Sequence, residues 1–217
     1  MKKRTAQLWF YGIYFTLSLI GMILDFDLLN GRFSTRPFVF YTSLSNMLCS
    51  GFVLLAFINI LRTTDTDHGF APLCKYLFTV MILVTAIVYN LLLNPYRSVI
   101  AYFAAVKSCL HHLILPLLFF VDWLVFYPRR KLSPLQPLLT LLIPLLYVVY
   151  ILLRAAVVKT NGISVSVLYP YFFLNVDRLG WQGFGMWMAI LLAAVLALSY
   201  GLFCIDRLLR SRKAIHC

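Results

Sequence analysis

Residues 101–126 read AYFAAVKSCLHHLILPLLFFVDWLVF, an apolar run into which Lys107, His111, His112 and Asp122 are set. Crossing a bilayer as a helix takes about 20 residues, so this run is long enough. An ionisable group at the centre of such a helix costs about 2.5–3.5 kcal/mol on insertion scales. A chain that is 62% hydrophobic has ample Leu to fill those positions. Groups kept at that cost line a polar interior. Lys107, His111, Leu118 and Asp122 follow one another at intervals of four, seven and four, which puts them on one helical face.

Working outward, five more segments of the same kind lie at 8–24, 38–61, 73–93, 137–158 and 184–205, with little chain between them. The expected fold is all-α and polytopic: a single domain over 1–217, a six-helix transmembrane bundle. The first segment follows a basic start, yet it reads as a span and not a cleaved signal peptide. Its apolar run is long and no small-residue cleavage site follows. The longest connection, 159–183, carries Tyr169-Pro170-Tyr171-Phe172-Phe173. Such a run suits the headgroup level of a bilayer and equally a re-entrant cap over the bundle. No internal repeat is visible, so an inverted-repeat transporter has no support.

The formal charge of +12 would suggest nucleic acid in a soluble protein, but its distribution follows the spans. With the start cytoplasmic, one side carries Lys2, Lys3, Arg4, Arg62, Lys75, Arg129, Arg130, Lys131, Arg207, Arg210, Arg212 and Lys213. The other carries Arg32, Arg36, Arg97, Lys159 and Arg178, while Lys107 and Arg154 fall within spans. By the positive-inside rule both termini are expected in the cytoplasm, and the protein in the cell (inner or plasma) membrane. The basic edge favours anionic lipid headgroups. Membrane lipids are thus the expected partners, and nucleic acid is not.

Cys49, Cys74, Cys109, Cys204 and Cys217 form no C-x-x-C pair and read as small apolar fillers. The chain has no Glu, and its seven carboxylates are all Asp, which leaves little material for paired-carboxylate chemistry. His111 and His112 point about 100° apart on a helix and make poor co-ligands. His68 and His216 lie in a loop and in the tail. No metal site and no cofactor is expected.

Three spans carry polar stripes: Thr42, Ser45, Asn46 and Cys49; then the Lys107–His111 face; then Tyr147, Tyr150 and Arg154. In lipid such stripes turn inward and meet, either as a functional cavity or as interhelical hydrogen bonding. Thr42 lies about five residues, and His111 about ten, into spans entered from the same side. At 1.5 Å per residue their depths differ by about 7–8 Å. A hydroxyl beside an imidazole is the smallest nucleophile–base pair for acyl transfer, and two cations nearby can neutralise a carboxylate or an oxyanion.

The run Phe40-Tyr41-Thr42-Ser43-Leu44-Ser45-Asn46 resembles the F-Y/F-T-x-x-S-N signature of a bacterial family of six-helix integral membrane proteins. The run His111-His112-Leu113-Ile114-Leu115-Pro116, then Asp122-Trp123-Leu124, resembles that family's L-H-x-x-x-P…D-W-L segment. Arg154 and Tyr169-Pro170-Tyr171 resemble its later positions. The family is in turn distantly similar to the eukaryotic androgen-induced and androgen-dependent transmembrane proteins, which are threonine hydrolases cleaving fatty acid esters of hydroxy fatty acids. Here Phe172 stands where their loop has proline.

The resemblance implies an intramembrane hydrolase of a lipid ester, with Thr42 as nucleophile and His111 as base. Asn46 would orient the pair, Lys107 or Arg154 would hold an acyl carboxylate or the oxyanion, and Tyr150 and Tyr171 would contact a fatty-acid ester substrate. The alternative is a membrane carrier or sensor that binds an anionic lipid or small molecule in the same cavity.

Overall fold

In the computed structural model, the described residues are 2–63, 69–96, 98–128 and 132–215. His68, Arg97, Arg129, Arg130, Lys131, His216 and Cys217 lie outside them, as do the side chains of Lys2, Arg212 and Lys213. The described chain is helical, and six of its helices are long and apolar enough to cross a membrane, as in a multi-pass membrane protein. The chain gathers into two compact units, Met1–Arg130 and Lys131–Cys217.

The first unit contains α1 (Lys2–Asp25), α2 (Tyr41–Arg62) and α3 (Pro72–Val88), which runs on into a π turn at Tyr89–Leu93. Then come α4 (Val99–Ala104), α5 (Val106–Cys109), a second π turn (Leu110–Ile114) and α6 (Leu115–Val125). Helix α3 opens on Pro72, a position where the missing N–H has no intrahelical partner to lose. The Ser98 hydroxyl caps α4 by accepting from the Ala101 N–H at 3.2 Å. At Ala105 the backbone leaves the helical region (ψ 73°), so the fourth span begins at Val106 and Lys107 falls in its first turn.

This unit buries a set of polar groups within an otherwise apolar interior and turns large apolar side chains outward. Ser18, Asn46, Ser50, Lys75, Thr79, Thr85, His111 and Asp122 are buried, whereas Ile13, Leu55 and Leu117 are exposed. That arrangement suits hydrocarbon surroundings, where inward polar groups pair with one another. On α1 the buried residues Gln7, Tyr11, Tyr14, Ser18 and Gly21, then Asp25, recur at intervals of four and three. They form one stripe along the whole helix.

The second unit holds a 3-10 turn (Gln136–Leu141), α7 (Leu142–Thr160), a short 3-10 turn (Phe172–Leu174) and α8 (Val176–Ile215). Helix α8 breaks at Gly180 (φ 65°, ψ 169°), a backbone state that glycine tolerates. The early part of α8 packs beside the 172–174 turn, where Phe172 meets the Trp187 ring at 5.1 Å.

Candidate functional site

The π turn that carries His111 follows from Pro116. A proline inside a helix has no N–H and its ring clashes with the carbonyl four residues back, here that of His112. The helix widens: the Leu115 N–H bonds to the Leu110 carbonyl, five residues back. Two backbone carbonyls, those of His111 and His112, thereby lose their helical donors.

Two asparagine side chains replace them. Asn46 of α2 donates from Nδ2 to the His111 carbonyl at 3.2 Å, and Asn90, in the other π turn, donates to the His112 carbonyl at 3.1 Å. Asn46 Nδ2 also reaches the Thr42 carbonyl at 2.8 Å. The backbones of Thr42 and His111 therefore meet at one amide nitrogen. Thr42 itself sits half-buried in the first turn of α2.

The His111 side chain is 3% exposed. Its Nε2 edge lies against α1 at Gly21, where a Cβ would come within 2.6 Å of the ring nitrogen. Any larger residue there would displace the imidazole. One turn further along α1, Asp25 bridges two other helices. Its Oδ2 accepts from the Ser43 hydroxyl at 2.5 Å, and its Oδ1 pairs with Lys107 Nζ at 2.7 Å. Ser43 adjoins Thr42, and Lys107 lies one turn before His111. Asp25 thus ties the helix start bearing Thr42 to the turn before His111, and Gly21–His111 forms the next rung.

Lys107 is 52% exposed while Asp25 is 10% exposed, so the pair lies at the rim of the unit with the carboxylate turned inward. The lysine thus has a counter-charge in the protein, and the span expected to hold it at depth holds it at its first turn. His112 faces elsewhere: it stacks on Tyr89 with ring centroids 3.4 Å apart, and its Nδ1 lies 2.9 Å from the Ser108 carbonyl. The Tyr89 and Ser108 hydroxyls bond at 2.6 Å and close that cluster.

Asp122 belongs to a different arrangement. Its Oδ2 pairs with Lys75 Nζ at 2.5 Å, and the two side chains are 1% and 0% exposed. Lys75, counted among the cytoplasmic basic residues by its place in the sequence, is a fully buried cation in the first turns of α3. The Phe119 ring lies 3.2 Å from its Nζ, with Phe52 and Tyr127 each at 5.6 Å.

Between the two clusters the interior stays polar. Ser18 and Ser50 share a hydrogen bond across α1 and α2, and Ser50 donates to the Asn46 carbonyl at 2.7 Å.

Arg154, Tyr150 and Tyr171 lie in the second unit. The Arg154 guanidinium donates to the Leu168 carbonyl at 3.0 Å and so tacks down the 161–175 loop. Tyr171 stacks on Phe173 at 5.2 Å and leans on Tyr147 at 6.4 Å, while Tyr150 is 40% exposed.

Sequence reasoning missed Asp25, Gly21, Ser43 and Lys75. The signal for the first two was the stripe on α1, whose spacing matches the stripes read on other spans. No protein-family model, curated protein or solved structure matches this chain.

Proposed function

We propose that the chain is an intramembrane hydrolase of a lipid ester, with Thr42 as nucleophile and His111 as general base. The observation that carries this reading is the Asn46 amide, which holds the backbones of both residues, 69 positions of chain notwithstanding, at one nitrogen. The ladder of Asp25–Lys107 and Gly21–His111 supports it from the other side.

In the reaction His111 takes the Thr42 proton as Oγ1 bonds to the acyl carbon. The ester C–O bond then breaks, and His111 returns the proton to the leaving alcohol. Water, deprotonated by His111, attacks the acyl-threonine; the Oγ1–acyl bond breaks, His111 returns the proton to Thr42 Oγ1, and the fatty acid is released. Asp25 and Asn46 position the pair, and neither reacts. Because Lys107 already faces Asp25, its role is register first and substrate charge second. The protein sits in the cell membrane with both termini cytoplasmic. Counting Lys75 as buried still leaves eleven basic residues against five.

A carrier or sensor of an anionic lipid is favoured by one feature, the half-exposed ammonium of Lys107 at the rim. A fluorophosphonate probe separates the readings. Covalent labelling of the purified protein that disappears in Thr42→Ala and in His111→Ala, and persists in His112→Ala, supports the hydrolase. Absence of labelling at every pH leaves the carrier.

A further inference from the structure

The hydrolase reading has no use for the most deeply buried charges in the first unit, Lys75 and Asp122. Burying an ion pair costs several kcal/mol per ion in desolvation, so such a pair contributes little to stability compared with well-packed apolar residues. Three features distinguish this one from a structural lock. Asp122 Oδ1 is buried and makes no hydrogen bond of ordinary geometry among the described residues. The ammonium is held by rings independently of the carboxylate: Phe119 lies directly against it, with Phe52 and Tyr127 further out.

A small pocket also opens at the same end of the unit. It is lined by Gln7 and Tyr11 of α1, Asn59 of α2, Phe70 before α3, and Phe126 and Tyr127 after α6. Tyr11 and Tyr127 are shared between its wall and the surroundings of the pair. The Gln7 amide donates to the Tyr11 hydroxyl at 2.9 Å, which leaves the hydroxyl proton free to turn towards Asp122.

We propose that Asp122 is a proton-loading site, reached by water through the Gln7–Tyr11–Tyr127 pocket. The ligand is a proton. Water in the pocket passes it through the Tyr11 hydroxyl to Oδ1, the carboxylate becomes a carboxylic acid, and hydroxide is left to the solvent. The site gains one positive charge, which the aromatic cage around Lys75 holds by cation–π attraction. The groups around the Lys75–Asp122 pair are Tyr11 and Tyr14 from α1, which face Asp122, and Cys49 from α2 and Tyr127 beyond α6, which face Lys75. Lys75 is the only cation among these residues. This proposal is independent of the hydrolase reading.

The test is infrared difference spectroscopy of the purified full chain in lipid nanodiscs, stepped through the pH range in which circular dichroism shows it folded. The expected result is a carboxylic-acid C=O band that grows as pH falls and is lost in Asp122→Asn. In Tyr11→Phe the band should form at least tenfold more slowly after a pH jump. In Lys75→Met it should be stronger at every pH, because the carboxylate has lost its counter-cation. If Asp122→Asn does not fold, Asp122→Glu keeps the acid and moves the band frequency, which assigns it. No Asp122-dependent band, or one of constant intensity at all pH values, overturns the proposal.

Discussion

Gly21→Ala tests the site at its tightest contact. A Cβ built at Gly21 stands 2.6 Å from His111 Nε2 and 3.2 Å from Cδ2, whereas ordinary contact begins at 3.4 Å. The imidazole must retreat by the difference from 2.6 Å, about 0.8 Å, in an interior that is close-packed. Overpacking of this kind costs about 1–3 kcal/mol, and the better helix propensity of alanine returns about 1 kcal/mol of it. The fold should therefore survive. The chemistry should not, because misplacing a reacting group by about 1 Å can cost on the order of 100-fold in rate.

Gly12→Ala is the control on the same helix, since nothing lies within 4 Å of its added methyl. The assay is the second-order rate of fluorophosphonate labelling on protein whose melting temperature has been measured in the same detergent. The expected outcome is labelling slowed on the order of 100-fold in Gly21→Ala and unchanged in Gly12→Ala. Equal rates in the two variants would show that the placement of His111 against α1 has no bearing on reactivity.

Three further outcomes follow from the same contacts. Asn46→Leu should destabilise the protein by about 1–3 kcal/mol through the orphaned His111 carbonyl. Most of that should return in Pro116→Ala/Asn46→Leu, where a regular helix restores the backbone donors; additive losses in thermal unfolding would contradict the origin given for the π turn. Lys75→Met, which strands a bare carboxylate, should cost about 3–5 kcal/mol, and Asp122→Asn should cost less because rings still hold the ammonium; the reverse order in melting temperature would contradict the role of the cage. Reporter fusions after residue 130 and after Thr160 should report opposite compartments, and the same compartment from both would remove the six-span topology.

The spans were legible because membrane-crossing helices announce themselves by length and hydropathy, and six such helices are present among the described residues. Their interruptions were not. The break at Ala105 involves no residue that forbids a helix, and the widening at 110–114 needs Pro116 to be read together with donors from two other helices. Within the site, the alignment of Thr42 with Asn46, and of Lys107 with His111, followed from helical periodicity.

Partners across helices did not follow from it. Asp25 stands at the end of α1, where a carboxylate reads as a loop residue. Its bonds to Ser43 and Lys107 appear only once three helices are packed. Lys75 was misplaced for a similar reason. Near a span end a lysine usually reaches water, and here Asp122, nearly fifty residues later, draws it inward. Arg154 matched a stripe, yet its guanidinium serves a loop carbonyl, a use that spacing does not encode.

The most direct measurement is residue-level mass spectrometry of the purified protein after reaction with a fluorophosphonate. The account predicts one adduct, on Thr42 Oγ1, absent in His111→Ala and unaffected by His112→Ala. An adduct on the neighbouring Ser43, or the same Thr42 adduct formed at an undiminished rate without His111, would contradict the Thr42–His111 pair.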